Sequence, residues 1–273
     1  MITVNSISGG KTSAYMAVHY PAHHDVFACV LIDDPSCTPK DAGLVRAVSD
    51  KLGMDFIATA ERDNTLRVVL DLEHLTGRPV TWVHGPSFDS INKTKDGRAV
   101  RVPNKSWRQC TTDMKMRPMF DWWHKAIGEK VEMRIGIRHD EKERAEKLTT
   151  SFKGVVGKRG TLNRWEMVEW RDVRCPLVDD VVDHYQVALW ARATGLPFPA
   201  DSNCVGCFWK PVQQLRKNWD EEPEKMEWFA GQERACGASF KDGITYDQVK
   251  TIGIQQDFNF GTGSGCDAGY CTD

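Results

Sequence analysis

Residues 26–32 read VFACVLI, seven apolar residues in succession. A strand with one face in water alternates apolar and polar side chains. A run this uniform belongs to a strand covered on both faces, the interior of a parallel sheet. Parallel neighbours need crossover connections, most simply helices, and the flanking sequence supplies them. Ile2–Ile7 is a short β-favouring run that ends in Ser8-Gly9-Gly10, and Thr12–Tyr20 is a helix stopped by Pro21. Lys40–Leu52 is a helix entered through Thr38-Pro39, a cap followed by proline in the first turn. Asp55–Ala60 is a third strand and Thr65–Leu75 a further helix. The expected fold class is α/β, a doubly wound and mostly parallel sheet.

Beyond residue 75 the pattern loosens. Residues 76–111 hold Gly77, Pro79, Gly85, Pro86, Gly97 and Pro103, and predict a long, partly ordered insertion near the active face. Thr112–Ile127 is helical, and Val131–Ile137 alternates as a strand does. The chain then enters Arg138-His139-Asp140-Glu141 and a charged helix to about Leu148. Asp180–Thr194 is a helix capped by Gly195, and the remainder is rich in Cys, Gly and Trp. That part is expected to form a smaller, mainly helical C-terminal region.

Composition excludes several classes. The chain has 273 residues, 41% hydrophobic and 27% charged, which suits a globular protein and not a coiled coil, a collagen-like repeat or a disordered chain. No stretch approaches the ~20 apolar residues that span a bilayer. Met1–Gly10 lacks the basic-then-apolar layout of a signal peptide, so the expected location is cytoplasmic, with no membrane partner. The net charge of -2 excludes a globally basic nucleic-acid coat but leaves room for a local patch. Residues 142–164 are such a patch, with seven Lys/Arg against two Glu. Trp165 and Trp170 sit near it, and Trp107 lies among Arg98, Arg101, Lys105 and Arg108. Cations interleaved with aromatics suit single-stranded bases, although a basic rim over packed indoles has the same sequence.

The first candidate site is Ser8-Gly9-Gly10-Lys11-Thr12-Ser13, which follows a strand and opens a helix. Glycines let the backbone approach a phosphate, and the open N–H groups at the positive helix end bind the anion. Lys11 adds a point charge, and Thr12 and Ser13 add hydroxyl donors. The Walker A pattern GxxxxGK(S/T) fails here, because its first glycine falls on Asn5.

SGGKTS is the pyrophosphate-loop signature of the N-type ATP pyrophosphatase superfamily. With three further segments, the chain resembles that superfamily's phosphoadenylyl-sulfate reductase-like family over roughly residues 1–210. Ile32-Asp33-Asp34 resembles the family's acidic strand end. Residues 110–118, with Cys110, Lys115 and Pro118, resemble its cysteine, lysine and proline segment. Gly136-Ile137-Arg138, continuing through Asp140 and Glu141 to Arg144, is similar to its GxRxDExxR element. The resemblance implies an adenine nucleotide alpha hydrolase-like fold, with a nucleotide-binding domain over 1–165 and a helical region with a Cys cluster over 166–273. It also implies ATP, or an adenylyl sulfate, on the loop.

In an open parallel sheet, ligands sit at the carboxyl ends of strands, where SGGKTS, Asp33 and Arg138 all fall. Arg138 and Arg144 suit phosphate or sulfate because a planar fork binds two oxygens at once. Asp140 and Glu141 belong to the same element. Lys115 is placed to neutralise a leaving pyrophosphate, and Asp33 to hold Mg²⁺ or a ribose or adenine donor. Cys204-Val205-Gly206-Cys207 and Cys266 with Cys271 form two pairs, which suit Zn²⁺ or a 4Fe-4S cluster. A competing set joins Cys110 to Cys204 and Cys207, with Cys175 as a possible fourth. Cys110 is otherwise a thiol that carries sulfur.

The expected activity is adenylation. A substrate oxygen attacks the α-phosphorus of ATP, pyrophosphate leaves, and a sulfur or nitrogen nucleophile then displaces AMP. Lys11, Lys115, Arg138 and Mg²⁺ do the positioning and charge neutralisation. The acceptor is a nucleic acid or a small molecule, a sulfur- or thiol-donor protein is a candidate partner, and a homodimer is left open. The alternative is phosphoadenylyl-sulfate reduction, which needs a nucleophilic cysteine. The family's reductases carry it in an ECG-like tail, where this chain reads CDAGYC. A third reading is a nucleic-acid-binding module.

Overall fold

A computed structural model describes residues 1–93 and 101–253. Its strands are β1 (Thr3–Ile7), β2 (His24–Cys29), β3 (Leu31–Ile32), β4 (Ala58–Thr59), β5 (Val80–His84), β6 (Val131–Ile135), β7 (Ser151–Arg159), β8 (Leu162–Glu169) and β9 (Arg171–Arg174). The helices are α1 (Lys11–His19), α2 (Ala42–Leu52), α3 (Asp63–Thr76), α4 (Phe88–Ile91), α5 (Gln109–Thr111), α6 (Arg117–Ala126), α7 (Lys142–Ala145), α8 (Pro176–Asp179), α9 (His184–Thr194), α10 (Val212–Glu221), α11 (Pro223–Cys236) and α12 (Tyr246–Thr251).

Five strands form the central sheet in the order β5-β2-β1-β6-β9, and every pairing is parallel. Helices cover both faces. On one, Ile7, Phe27 and Trp82 pack with Ala14 and Ala17 of α1, Val48 of α2 and Leu66, Val69 and Leu72 of α3. On the other, Val4, Val26 and Met133 pack with Met119, Phe120 and Trp123 of α6. Adjacent residues Val26 and Phe27 face opposite clusters, so the apolar run had to be unbroken. The fold is α/β and compatible with a Rossmann-like sheet. The strand order reverses direction between β1 and β6, the switch point where such sheets open a crevice.

The structure differs from expectation in five places. The long apolar run is split: β2 ends at Cys29, and β3 leaves the sheet to pair antiparallel with β4. Residues 55–60 therefore supply no strand to the central sheet, only the short β4. The third sheet strand is instead β5, inside the segment expected to be irregular. Gly77 (φ +66) ends α3 in the left-handed region, and Pro79 precedes the strand, so these residues punctuate β5 rather than dissolve it. The basic segment after residue 150 is an antiparallel hairpin, β7–β8. Residue 165 falls inside β8, and β9 beyond it joins the central sheet, so the sheet does not end at the expected boundary. Trp170, counted with the candidate base-stacking residues, is fully buried against Phe120 and Trp123.

The C-terminal helices α10, α11 and α12 bring Leu215, Trp219, Met226, Phe229 and Tyr246 into a cluster with Val30, Ile32, Ala58 and Ala60. The helical region is thus seated on the β3–β4 pair, beside the carboxyl ends of the sheet. Among the described residues, no helix is long and apolar enough to cross a membrane.

Candidate functional site

The loop after β1 is held in one shape by three local contacts. The Ser8 amide donates to Ser13 Oγ (3.1 Å), the Ser13 hydroxyl donates to the Gly10 carbonyl (3.1 Å), and the Ser8 and Ser13 hydroxyls lie 3.1 Å apart. Gly9 has φ +70, and a Cβ there would sit 2.6 Å from Thr65 Cγ2 and 2.7 Å from the Thr65 carbonyl oxygen. Only glycine satisfies both conditions. Gly10 is the N-cap of α1 and offers no side chain to the first-turn amides, and that turn holds no acidic residue. The open N–H groups and the dipole favour an anion there.

The end of β6 passes close to the loop. A Cβ on Gly136 would lie 3.1 Å from the Ser13 amide nitrogen and Cα. Two residues on, Arg138 is 3% exposed and donates to Thr12 Oγ1 (3.1 Å) and to both carboxylate oxygens of Asp140 (3.2 and 3.3 Å). It also pairs with Glu141 at 3.3 Å. Burial pushes Asp140 up, but the Arg138 hydrogen bonds outweigh it and leave the carboxyl below its ordinary range. Glu141, more deeply buried, goes up despite Arg138 and Arg144. Arg138 thus has each of its guanidinium nitrogens engaged by neighbouring side chains. In this arrangement the guanidinium ties the tip of β6 to the first turn of α1.

A pocket opens between these two tips, lined by Ser8, Gly10, Lys11, Thr12, Gly136, Arg144, Asp201 and Ser202. Lys11, Thr12 and Arg144 line it together. Ser13 points back into the loop, and Asp140 holds Arg138. Asp33 is not in this pocket. It lies past β3, exposed, where its amide donates to Asp89 Oδ2 (2.8 Å) and its carboxylate accepts from the Ser87 hydroxyl. The departure of β3 from the sheet carries Asp33 away. The carboxylate at the pocket is Asp201, 95% buried, 2.8 Å from the fully buried Lys210 ammonium. Its Oδ1 accepts from the Asn203 amide (3.2 Å), while Oδ2 has no hydrogen-bond partner. The sequence signal for this element was the turn-forming Asp201-Ser202-Asn203 beside the first CxxC cysteine.

A second pocket of about 40 Å³ lies on the other side of Ser8, lined by Ser6, Phe27, Ala28, Glu61, Thr111, Lys115, Met116 and Met119. Glu61 is 1% exposed and its Oε2 accepts no hydrogen bond. Burial pushes its carboxyl up to about 7, against the pull of Lys115. Neither Glu61 nor its burial was legible, because Glu61-Arg62-Asp63 reads as a charged helix start. Lys115 reaches this pocket from a π-helical turn, Thr112–Met116, set between α5 and α6.

Cys110 and Cys204 lie near Lys115, and Glu61 acts on Cys204 as well. Burial raises both thiols above the ordinary range, Cys204 to about 12. The Cys204–Cys207 turn is pinned: the Val205 amide donates to the Ala60 carbonyl (2.7 Å), and the Asn218 side chain to the Val205 carbonyl (2.7 Å). Gly206 lies against the Phe229 ring, with no room for a Cβ. Cys175 is buried in the α6 cluster on the other face of the sheet from the loop helices, so it does not join Cys110 and Cys204. Cys266 and Cys271 lie outside the described residues. Among the described residues, no three His, Cys, Asp or Glu side chains are placed to hold a metal ion.

Comparison with family models, with curated proteins and with solved structures gives no match.

Proposed function

We propose that the chain binds the polyphosphate of ATP on the β1–α1 loop and adenylates an acceptor, probing of the acceptor falling to the second pocket. The observation that carries this is the joining of the two strand tips at the switch point. Gly136 brings the tip of β6 against the first turn of α1, Gly9 seats the β1 tip against Thr65 of α3, and Arg138 reaches across to Thr12. An anion at that turn meets open amides, Lys11 and Arg144 within one pocket. The adenine nucleotide alpha hydrolase-like assignment of the fold stands or falls with this proposal.

The chemistry asks for positioning and charge neutralisation. An acceptor oxygen attacks the α-phosphorus, an O–P bond forms, and the bond to the departing pyrophosphate breaks. Lys11 neutralises charge on the pyrophosphate side. Lys115 reaches the strand tips from the opposite side, beside Glu61. Where Mg²⁺ accompanies the nucleotide, it supplies further neutralisation, and the pocket's own carboxylate is Asp201. Sulfur transfer to the adenylated acceptor is the expected use, with a sulfur- or thiol-donor protein as partner.

Calorimetric titration with ATP and Mg²⁺, and pyrophosphate release in the presence of candidate acceptors, test the proposal. Lys11→Ala is expected to weaken ATP binding at least tenfold, in line with about 1.5–3 kcal/mol for a hydrogen bond to a charged group. ATP binding that is absent, or indifferent to Lys11, ends the proposal. Thiol-dependent sulfite release from phosphoadenylyl sulfate would replace adenylation with reduction.

A further inference from the structure

Strands β7 and β8 form a two-stranded ribbon apart from the central sheet, with a bulge between Val155 and Gly157. Gly154 seats it, lying so close to the Phe120 ring of α6 that a Cβ would overlap it. The outer part stands in solvent. Leu162 is 73% exposed, Met167 68% and Trp165 44%. Lys153, Lys158, Arg159 and Arg164 are exposed along the same ribbon. Arg164 meets Glu166 at 3.1 Å, while Lys153, Lys158 and Arg159 pair with no carboxylate among the described residues.

The segment leading into α6 continues this charge. Residues 101–117 hold Arg101, Lys105, Arg108, Lys115 and Arg117 against the single acid Asp113. The cations lie over indole rings: Arg101 over Trp107 at 4.3 Å, Arg108 over Trp209 at 5.7 Å, and Arg117 over Trp165 at 5.2 Å. Arg117 ties the ribbon to the start of α6, where it also pairs with Asp113 at 2.8 Å. Local positive charge of this density, in a chain of net charge -2, is complementary to a polyanion. Indole rings beside Arg101, Arg108 and Arg117 suit a polyanion that also carries planar rings.

We infer that the β7–β8 ribbon and the 101–117 segment form a docking surface for a single-stranded nucleic acid, whose bases stack at Trp165 and whose phosphates meet Lys153, Lys158 and Arg159. A strand lying there is led by Arg117 toward Lys115 and the sheet tips. Its identity as the acceptor rests on the adenylation proposal; the docking itself does not.

The test is fluorescence anisotropy of the full chain with labelled oligo-dT and oligo-U of roughly 12 nucleotides, run without ATP so that failure of the loop proposal leaves it intact. With about three phosphates neutralised, affinity falls about 20-fold between 50 and 200 mM salt. K158A/R159A lowers affinity and takes about 1.4 off the slope of log K against log salt. W165A weakens binding on the order of tenfold, and W165F restores most of it. These positions are exposed, and circular dichroism checks that each variant stays folded. Absence of binding at 50 mM salt, or a slope unmoved by K158A/R159A, overturns the inference. So does equal affinity for a duplex of the same length, or for phosphatidylserine vesicles without oligonucleotide binding. Sedimentation that shows the ribbon instead joining two copies of the chain also overturns it. The two oligonucleotides separate DNA from RNA.

Discussion

The sheet tips and the β7–β8 ribbon use the same side chains under opposite conditions. At the tips, cations are buried and committed: Lys210 to Asp201, and Arg138 to Thr12, Asp140 and Glu141. On the ribbon, Lys153, Lys158 and Arg159 stand in water. Desolvation makes the first group indispensable to the fold, since removing one partner strands a charge. Screening makes the second group nearly free of folding consequence and available to a ligand.

The largest expected effect breaks the buried pair. Lys210→Ala leaves Asp201 buried and uncompensated, and should cost about 3–5 kcal/mol in urea unfolding. A loss below about 1 kcal/mol would mean that the tips are no more committed than the ribbon. Next is Gly9→Ala, which places a β-carbon in left-handed backbone and against Thr65. About 3 kcal/mol of destabilisation is expected, together with loss of ATP binding by calorimetry.

A smaller, pH-dependent effect comes from Glu61. Its folded pKa of about 7 lies above the ordinary 4.5. Between those values the folded chain holds more protons than the unfolded one, so stability falls as pH rises from about 4.5 to about 7. Glu61→Gln, neutral throughout, should remove about 3 kcal/mol of that decline, read from unfolding curves across the range. An unchanged slope would place the titration elsewhere. The smallest effect completes the contrast: Arg159→Ala should shift stability by less than about 0.5 kcal/mol. A larger shift by thermal melting would show the ribbon to be structural.

What the sequence disclosed follows the same division. Strands β1, β2 and β6 are buried on both faces or alternate cleanly, so composition alone marks them, and SGGKTS marks its turn by glycine. Strand β5 was hidden by Gly77 and Pro79, which bound it from outside. The ribbon was legible as charge but not as strand, because nearly every residue of β8 is exposed and the inward face of β7, Phe152, Gly154 and Val156, is interrupted by a glycine. Asp33 was misplaced because an unbroken apolar run does not reveal that the chain turns out of the sheet after Cys29. The burial of Asp201, Lys210 and Glu61 was hidden for a different reason. A buried charge is recognised by its surroundings, and the turn at Asp201-Ser202-Asn203 reads as exposed until folding closes the chain over it.

The π-helical turn at Thr112–Met116 has a consequence for how the two regions face each other. A π-turn holds one residue more than an α-turn, and each residue of an α-helix advances about 100° around its axis. Excision of one residue from that turn would let the helix rewind as uninterrupted α. Arg117 would keep its place on α6, while everything before the cut, Cys110 and Thr111 included, would swing away from the sheet tips. The alignment between the thiol-bearing side of this helix and the tryptophan-bearing ribbon is therefore a matter of counting, and a single-codon deletion there would misalign them without altering one functional side chain.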